Sequence, residues 1–149
     1  MKEKKVLTSP SKLIHLSERF HDGDWFRPRV PRTAAPGEDK KTKRVCFSNS
    51  ISGAYRAIKD CCWYNVLYVH VPCDIDEIAR CGKLFKPTSE QVYDVSETGE
   101  YWVKCEVRLK CIGVIRAWDD CHGNVRFRWL ERFEEDYKDC VETITIDDD

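Results

Sequence analysis

The 149-residue sequence lacks any run approaching the ~18 uninterrupted apolar residues of a membrane span. Its start, Met1-Lys2-Glu3-Lys4-Lys5, leads into only Val6-Leu7-Thr8, too short for a signal-peptide core. A soluble, cytoplasmic protein without a membrane partner is therefore expected. Net charge is nearly absent as well. Twenty-five basic against 26 acidic residues leave −1, so bulk charge offers a polyanion no attraction and nucleic acid is not a favoured partner. The seven glycines form neither Gly-x-Gly-x-x-Gly nor a loop ending in Gly-Lys-Ser/Thr, which excludes Rossmann and P-loop enzymes. His-Glu-x-x-His and Gly-x-Ser-x-Gly are missing too, and with them the common zinc and serine hydrolases. Among nine cysteines (Cys46, Cys61, Cys62, Cys73, Cys81, Cys105, Cys111, Cys121 and Cys140) no Cys-x-x-Cys pair occurs. Without that knuckle a zinc site is not expected, and the odd number argues against a complete disulfide framework. Free thiols behaving as small hydrophobes are the expectation, with no metal.

What is present is a folding composition: 42% apolar residues, 34% charged and 17 aromatics. The length suits one domain over 1–149. Charge is unevenly placed, with seven bases against Glu38 and Asp39 between Arg27 and Arg44, and eight acids against Lys138 from Glu134 to Asp149. Hydrophobic spacing predicts strands at 13–17, 44–48, 66–71, 101–105, 109–118 and 125–130, with a last one around Thr143 to Ile146. Ser50 is placed to cap a helix through Ile51, Ala54, Tyr55, Ile58 and Cys62, and Asp74 to cap a second that stops at Gly82. His122-Gly123-Asn124 marks a hairpin turn. Pro28, Pro31 and Pro36 punctuate a long loop at about 18–43, and an acidic end covers about 134–149. The class is α+β, with mixed or mostly antiparallel sheets and a few short helices.

Three segments, in order, carry chemistry-bearing residues. Leu13-Ile14-His15-Leu16-Ser17 sets a histidine on the first strand. Arg44-Val45-Cys46-Phe47-Ser48 with Ser52-Gly53-Ala54-Tyr55 makes a strand and helix. Gly99-Glu100-Tyr101-Trp102-Val103 opens a later strand. This layout resembles the ADP-ribosyltransferase fold, in particular the His-Tyr-Glu branch that contains the poly(ADP-ribose) polymerases and small bacterial transferases. The resemblance implies NAD as the cofactor consumed and an unidentified acceptor, with Glu100 and His15 catalytic. It also implies that His15, Ser17, Ser48, Tyr55 and Arg44 bind NAD. Leu16 and Cys46 depart from the branch, which has glycine and tyrosine at those places. The chemistry accounts for the residue types: positive charge develops on the ribose as nicotinamide leaves, so a fixed carboxylate favours the transition state over the ground state. Ribose hydroxyls need hydrogen-bonding groups, nicotinamide a flat face, and pyrophosphate paired donors such as Arg27, Arg29, Arg32 and Arg44.

Each residue also has a plainer reading: His15 as a hydrogen-bonded core histidine, Tyr55 as core, Glu100 as a turn residue. A non-catalytic interaction or inhibitor protein of phage or mobile-element type on the same scaffold, with a protein partner, is the alternative function. Trp118, Phe127, Trp129 and Phe133, interleaved with Arg116, Arg126, Arg128 and Arg132, raise base stacking as a third. Strand alternation instead expects Val125, Phe127 and Trp129 in the core and Arg126 and Arg128 facing water.

Overall fold

Alternation of apolar residues produces two antiparallel sheets. The computed structural model describes residues 2–31, 37–58, 66–120 and 122–130, and the backbone of 142–147. The elements run β1 (Lys4–Lys5), β2 (His15–Ser17), β3 (Trp25–Phe26), β4 (Val45–Ser48), α1 (Ile51–Ile58), β5 (Val66–Pro72) and α2 (Ile75–Arg80). β6 (Leu84–Lys86), α3 (Val95–Thr98), β7 (Glu100–Val103), β8 (Val107–Asp119), β9 (Val125–Leu130) and β10 (Glu142–Asp147) follow. One sheet has the order β1-β6-β7-β4, the other β10-β9-β8-β5-β2, with β3 paired to β8. Strand pairings among the described residues are all antiparallel. The molecule is thus α+β with few short helices. None of the described helices is long and apolar enough to cross a membrane.

Local signals fix most of these elements. Ser50 Oγ accepts the Gly53 N–H at 2.9 Å and starts α1, whose Ile51, Ala54 and Tyr55 are buried. Asp74 Oδ1 accepts the Glu77 N–H at 3.0 Å and starts α2. At the β8–β9 turn Asp120 Oδ1 accepts the N–H groups of His122 and Asn124 at 2.8 and 2.9 Å. β5 is almost wholly buried, as its unbroken apolar run requires of a strand covered on both faces. Each large apolar side chain so buried stabilises the fold by about 1.5–3 kcal/mol.

Two cores result. The first lies between α1 and the larger sheet and holds Ile14, Leu16, Tyr55, Leu67, Val69, Ile115, Ala117 and Phe127. The second holds Leu13, Val45, Phe47, Ile78, Leu84, Val103, Val107 and Leu109. β8 serves both. Its odd positions are small or apolar from Val107 to Ala117, yet Val107 and Leu109 belong to the second core and Ile115 and Ala117 to the first. The cause is a bulge: Val69 opposes Gly113 while His70 opposes Cys111, so Ile112 is the extra residue and reverses which face the odd positions take.

Several expectations need adjusting. The long loop 18–43 contains β3 and an isolated bridge between Arg29 and Arg44, while residues 32–36 lie outside those described. Cys62, Phe133, Arg132 and the acidic segment up to 141 also lie outside them, as do residues 148–149. Arg126 and Arg128 do not simply face water. Both are half-buried, Arg126 bonded to Asp120 at 3.2 Å and Arg128 set 5.5 Å from the Trp118 ring centre. Register explains this, because Arg126 opposes Trp118 and Arg128 opposes Arg116 on the face away from Phe127.

Candidate functional site

The three motif segments are far apart in sequence and adjacent in space. Ile14 and Ser48 form an isolated antiparallel bridge, with N–H to O distances of 2.7 and 2.9 Å in the two directions. Ser48 in turn opposes Glu100 in the β4–β7 ladder. Ile14, just before β2, therefore forms one row with Ser48 of β4 and Glu100 of β7, at the seam where the two sheets meet.

Directly opposed residues share a face, and alternate residues do not. Ser48 and Glu100 lie on one face of β4–β7 together with Cys46 and its partner Trp102, whereas Phe47 and Tyr101 point the other way into the second core. The Glu100 face is polar and buried. Glu100 is 7% exposed and its Oε2 accepts the Trp102 indole N–H at 2.6 Å. Burial raises its carboxyl from 4.5 to about 7, with Glu38 and Asp94 adding to the push while the Trp102 N–H and the Arg44 charge oppose it. The same burial lifts the Cys46 thiol to about 12, which leaves it protonated and unreactive. Lys86 Nζ donates to the Glu100 carbonyl at 2.9 Å and sits 4.4 Å from the Tyr101 ring centre.

Arg44 organises the cover over this face. Its guanidinium stacks 4.2 Å from the Trp102 ring centre, donates to the carbonyls of Asp39 and Thr42 at 2.9 and 2.8 Å, and meets Glu38 at 3.2 Å. It is 1% exposed. Asp39 accepts from Lys41, Thr42 and Gln91 and is held down at about 2, net of a burial effect that pushes the other way. The segment from Gly37 to Lys43 is thereby fastened across Trp102. Gly99, just before Glu100, has φ +62°, and a Cβ there would come 2.0 Å from Asn49 Oδ1, so only glycine lets β7 begin where it does.

His15 is elsewhere. Its ring packs against Phe47 at 6.2 Å between centres, against Phe26 at 5.3 Å and near His70 at 6.0 Å. It thus lies on the face of β4 away from Ser48 and Glu100. Its Nδ1 donates to the Cys46 carbonyl at 3.4 Å, and burial with the neighbouring His70 holds it down to about 4. Ser17 shares the side of β2 that His15 takes, and its Oγ accepts the Arg19 N–H at 3.0 Å. His70 is locked between two backbone groups: Nδ1 donates to the His15 carbonyl at 3.3 Å and Nε2 accepts the His21 N–H at 3.0 Å. Only the neutral ring with its hydrogen on Nδ1 makes both bonds. Tyr55 is 8% exposed and packs in the first core with Ile14 and Leu16.

The structure thus brings Glu100, Ser48 and Arg44 together, sets His15 and Ser17 on the other face, and places Tyr55 in the first core with Ile14. Of the other arginines, Arg27 pairs with Glu106 at 3.4 Å and Arg29 bridges Arg44 through its backbone. Trp102, Glu38 and Lys86 were not singled out from sequence. Trp102 could have been, since two residues along a strand places it on the face of Glu100. A surface cavity of about 470 Å³ is lined by Gly37, Glu38, Asp39, Lys40, Lys41, Glu90 and Gln91. Another of about 320 Å³ is lined by Ser52, Arg56, Asn124, Val125 and Arg126. Neither is lined by Glu100 or His15, but the first reaches Glu38 and so adjoins the Arg44 cover. Among the described residues no group of three His, Cys, Asp or Glu side chains is placed to hold a metal. No family model, curated protein or solved structure matches the chain.

Proposed function

We propose that the protein binds NAD+ on an ADP-ribosyltransferase-like plan and that Glu100 promotes cleavage of its nicotinamide–ribose bond, with transfer of ADP-ribose to an acceptor or to water. The observation that carries this reading is the row Ile14, Ser48, Glu100, which aligns the three motif segments at the seam of the two sheets and sets a buried carboxyl beside a serine hydroxyl. NAD+ supplies the electrophilic ribose carbon. The ionised Glu100 offers a fixed negative charge in a poorly solvated place, where electrostatic stabilisation is strongest. Ser48, on the same face, offers a hydroxyl to the ribose. Arg44 fits this plan only as a support, because its donors are already directed to internal acceptors.

The test is release of nicotinamide from labelled NAD+ by wild type and by Glu100→Gln, with a thermal shift at increasing NAD+ for each. The expected result is a dose-dependent rise in Tm for both proteins, since a ligand of the native state stabilises it by mass action. Turnover of the variant is expected to fall by on the order of a hundredfold or more, the scale of losing one electrostatic stabiliser. Turnover untouched by Glu100→Gln removes the catalytic role. A second reading, the non-catalytic interaction protein, is favoured by the packing of Tyr55 in the first core and by His15 lying on the other face of β4. No thermal shift at millimolar NAD+ selects it.

A further inference from the structure

We propose that Trp102 is a positioning residue that assigns the two oxygens of Glu100 to different tasks, Oε2 held by the indole and Oε1 left as the one oxygen that can carry and exchange a proton. The indole N–H is a donor only. Pointed at Oε2 from 2.6 Å, it is best met by an oxygen of carbonyl character, because the hydroxyl oxygen of a protonated carboxyl is the weaker acceptor. When Glu100 is protonated, its hydrogen therefore sits on Oε1. When it is ionised, the N–H remains and the carboxylate keeps the same orientation.

The indole can impose this because it is itself immobile. Trp102 is fully buried, and its backbone is in ladders with Cys46 of β4 on one side and Phe85 of β6 on the other. The stacked Arg44 guanidinium, fastened by two carbonyls of the 37–43 segment, fixes the ring from its face. A path of contacts thus runs from that segment through Arg44 and Trp102 to Glu100. The charged and titratable groups around the carboxyl are Arg44 just before β4, Cys46 from β4, Glu38 from the covering segment, Asp94 before α3, and Lys86 from β6. Only Trp102 makes a side-chain hydrogen bond to Glu100 among the described residues.

Use of Glu100 in a reaction rests on the reading above; the placement of its proton does not. The experiment is a pH titration of the Trp102 indole ¹H–¹⁵N resonance in the wild-type protein, with the Glu100 carboxyl followed by its ¹³C shift. The indole signal is expected to move with a midpoint near that of the carboxyl, around neutral pH, and to stay fixed in Glu100→Gln. In Trp102→Phe, which keeps an aromatic ring for Arg44 but no donor, the Glu100 midpoint should rise by about one pH unit or more, a tenfold loss of acidity. A merely structural role for Trp102 would not move that midpoint. An indole signal flat from pH 5 to 9 in wild type, or an unmoved midpoint in a folded Trp102→Phe, overturns the proposal. If Trp102→Phe does not fold, the wild-type and Glu100→Gln spectra decide alone. An indole that titrates in a protein that leaves NAD+ uncleaved supports this inference and counts against the catalytic reading.

Discussion

A carboxyl buried to 7% exposure makes stability depend on pH in a direction opposite to that of most acids. The Glu100 group is raised from 4.5 to about 7, so the native state holds the proton more tightly than the unfolded chain. Its contribution is fully present below pH 4.5 and is lost as pH rises through about 7, in total on the order of 3 kcal/mol. His15 and His70, each lowered to about 4 by burial, act in reverse: their contribution is present above 6.5 and lost as pH falls through about 4. Glu100→Gln separates the two effects, because the amide is neutral throughout. Denaturant melts from pH 4 to 9 should show the variant gaining on wild type as pH rises past 5, levelling above 8. Within the variant, stability should still fall on acidification below 6.5. A constant difference between the two proteins across that range would show that Glu100 titrates normally.

Among the elements, those legible in the sequence are the ones whose own pattern suffices. Val66–Pro72 declares itself by an unbroken apolar run, Val125–Leu130 by alternation, α1 by Ser50 and its spacing. The strands β1 and β3 have two residues each, and β6 has three; such pieces have no period to read and are made into strands by the ladders that receive them. The site divides along the same line. The motif segments could be picked out along the chain, but their adjacency and the face each side chain takes depend on strand pairing and register, which a list of motifs does not contain. His15 and Glu100 are parted by that parity alone. One contact between elements invites a direct test. A Cβ on Gly53 of α1 would lie 2.2 Å from the Thr98 carbonyl of α3, so Gly53→Ala must push the two helices apart. Overpacking of this kind costs about 1–3 kcal/mol, more than the helix propensity of alanine returns. Thermal melts should show Tm lowered by several degrees, and a variant as stable as wild type would mean that α1 and α3 are not in contact.

For the molecule as a whole, thiol chemistry reports how the layers are arranged. Cys73 and Cys81 are exposed, whereas Cys46 lies under the Arg44 cover with its thiol raised to about 12. Among the described cysteines, alkylation of the native protein followed by peptide mapping should label Cys73 and Cys81 before Cys46, and early labelling of Cys46 would show that the cover opens readily. Strand β8 sets the remaining property, how the molecule comes apart. A continuous strand that gives its first half to one core and its second half to the other cannot be peeled from either alone. Each core is then a brace for its neighbour, and loosening one transmits a pull along β8 to the other. Fluorescence of tryptophans on the two sides of the molecule and amide exchange at Leu109 and Ile115 should therefore report one common transition. Removing the single residue Ile112 should straighten β8 while leaving every other residue opposite its present partner and on its present face, so that the two cores keep the beam they share.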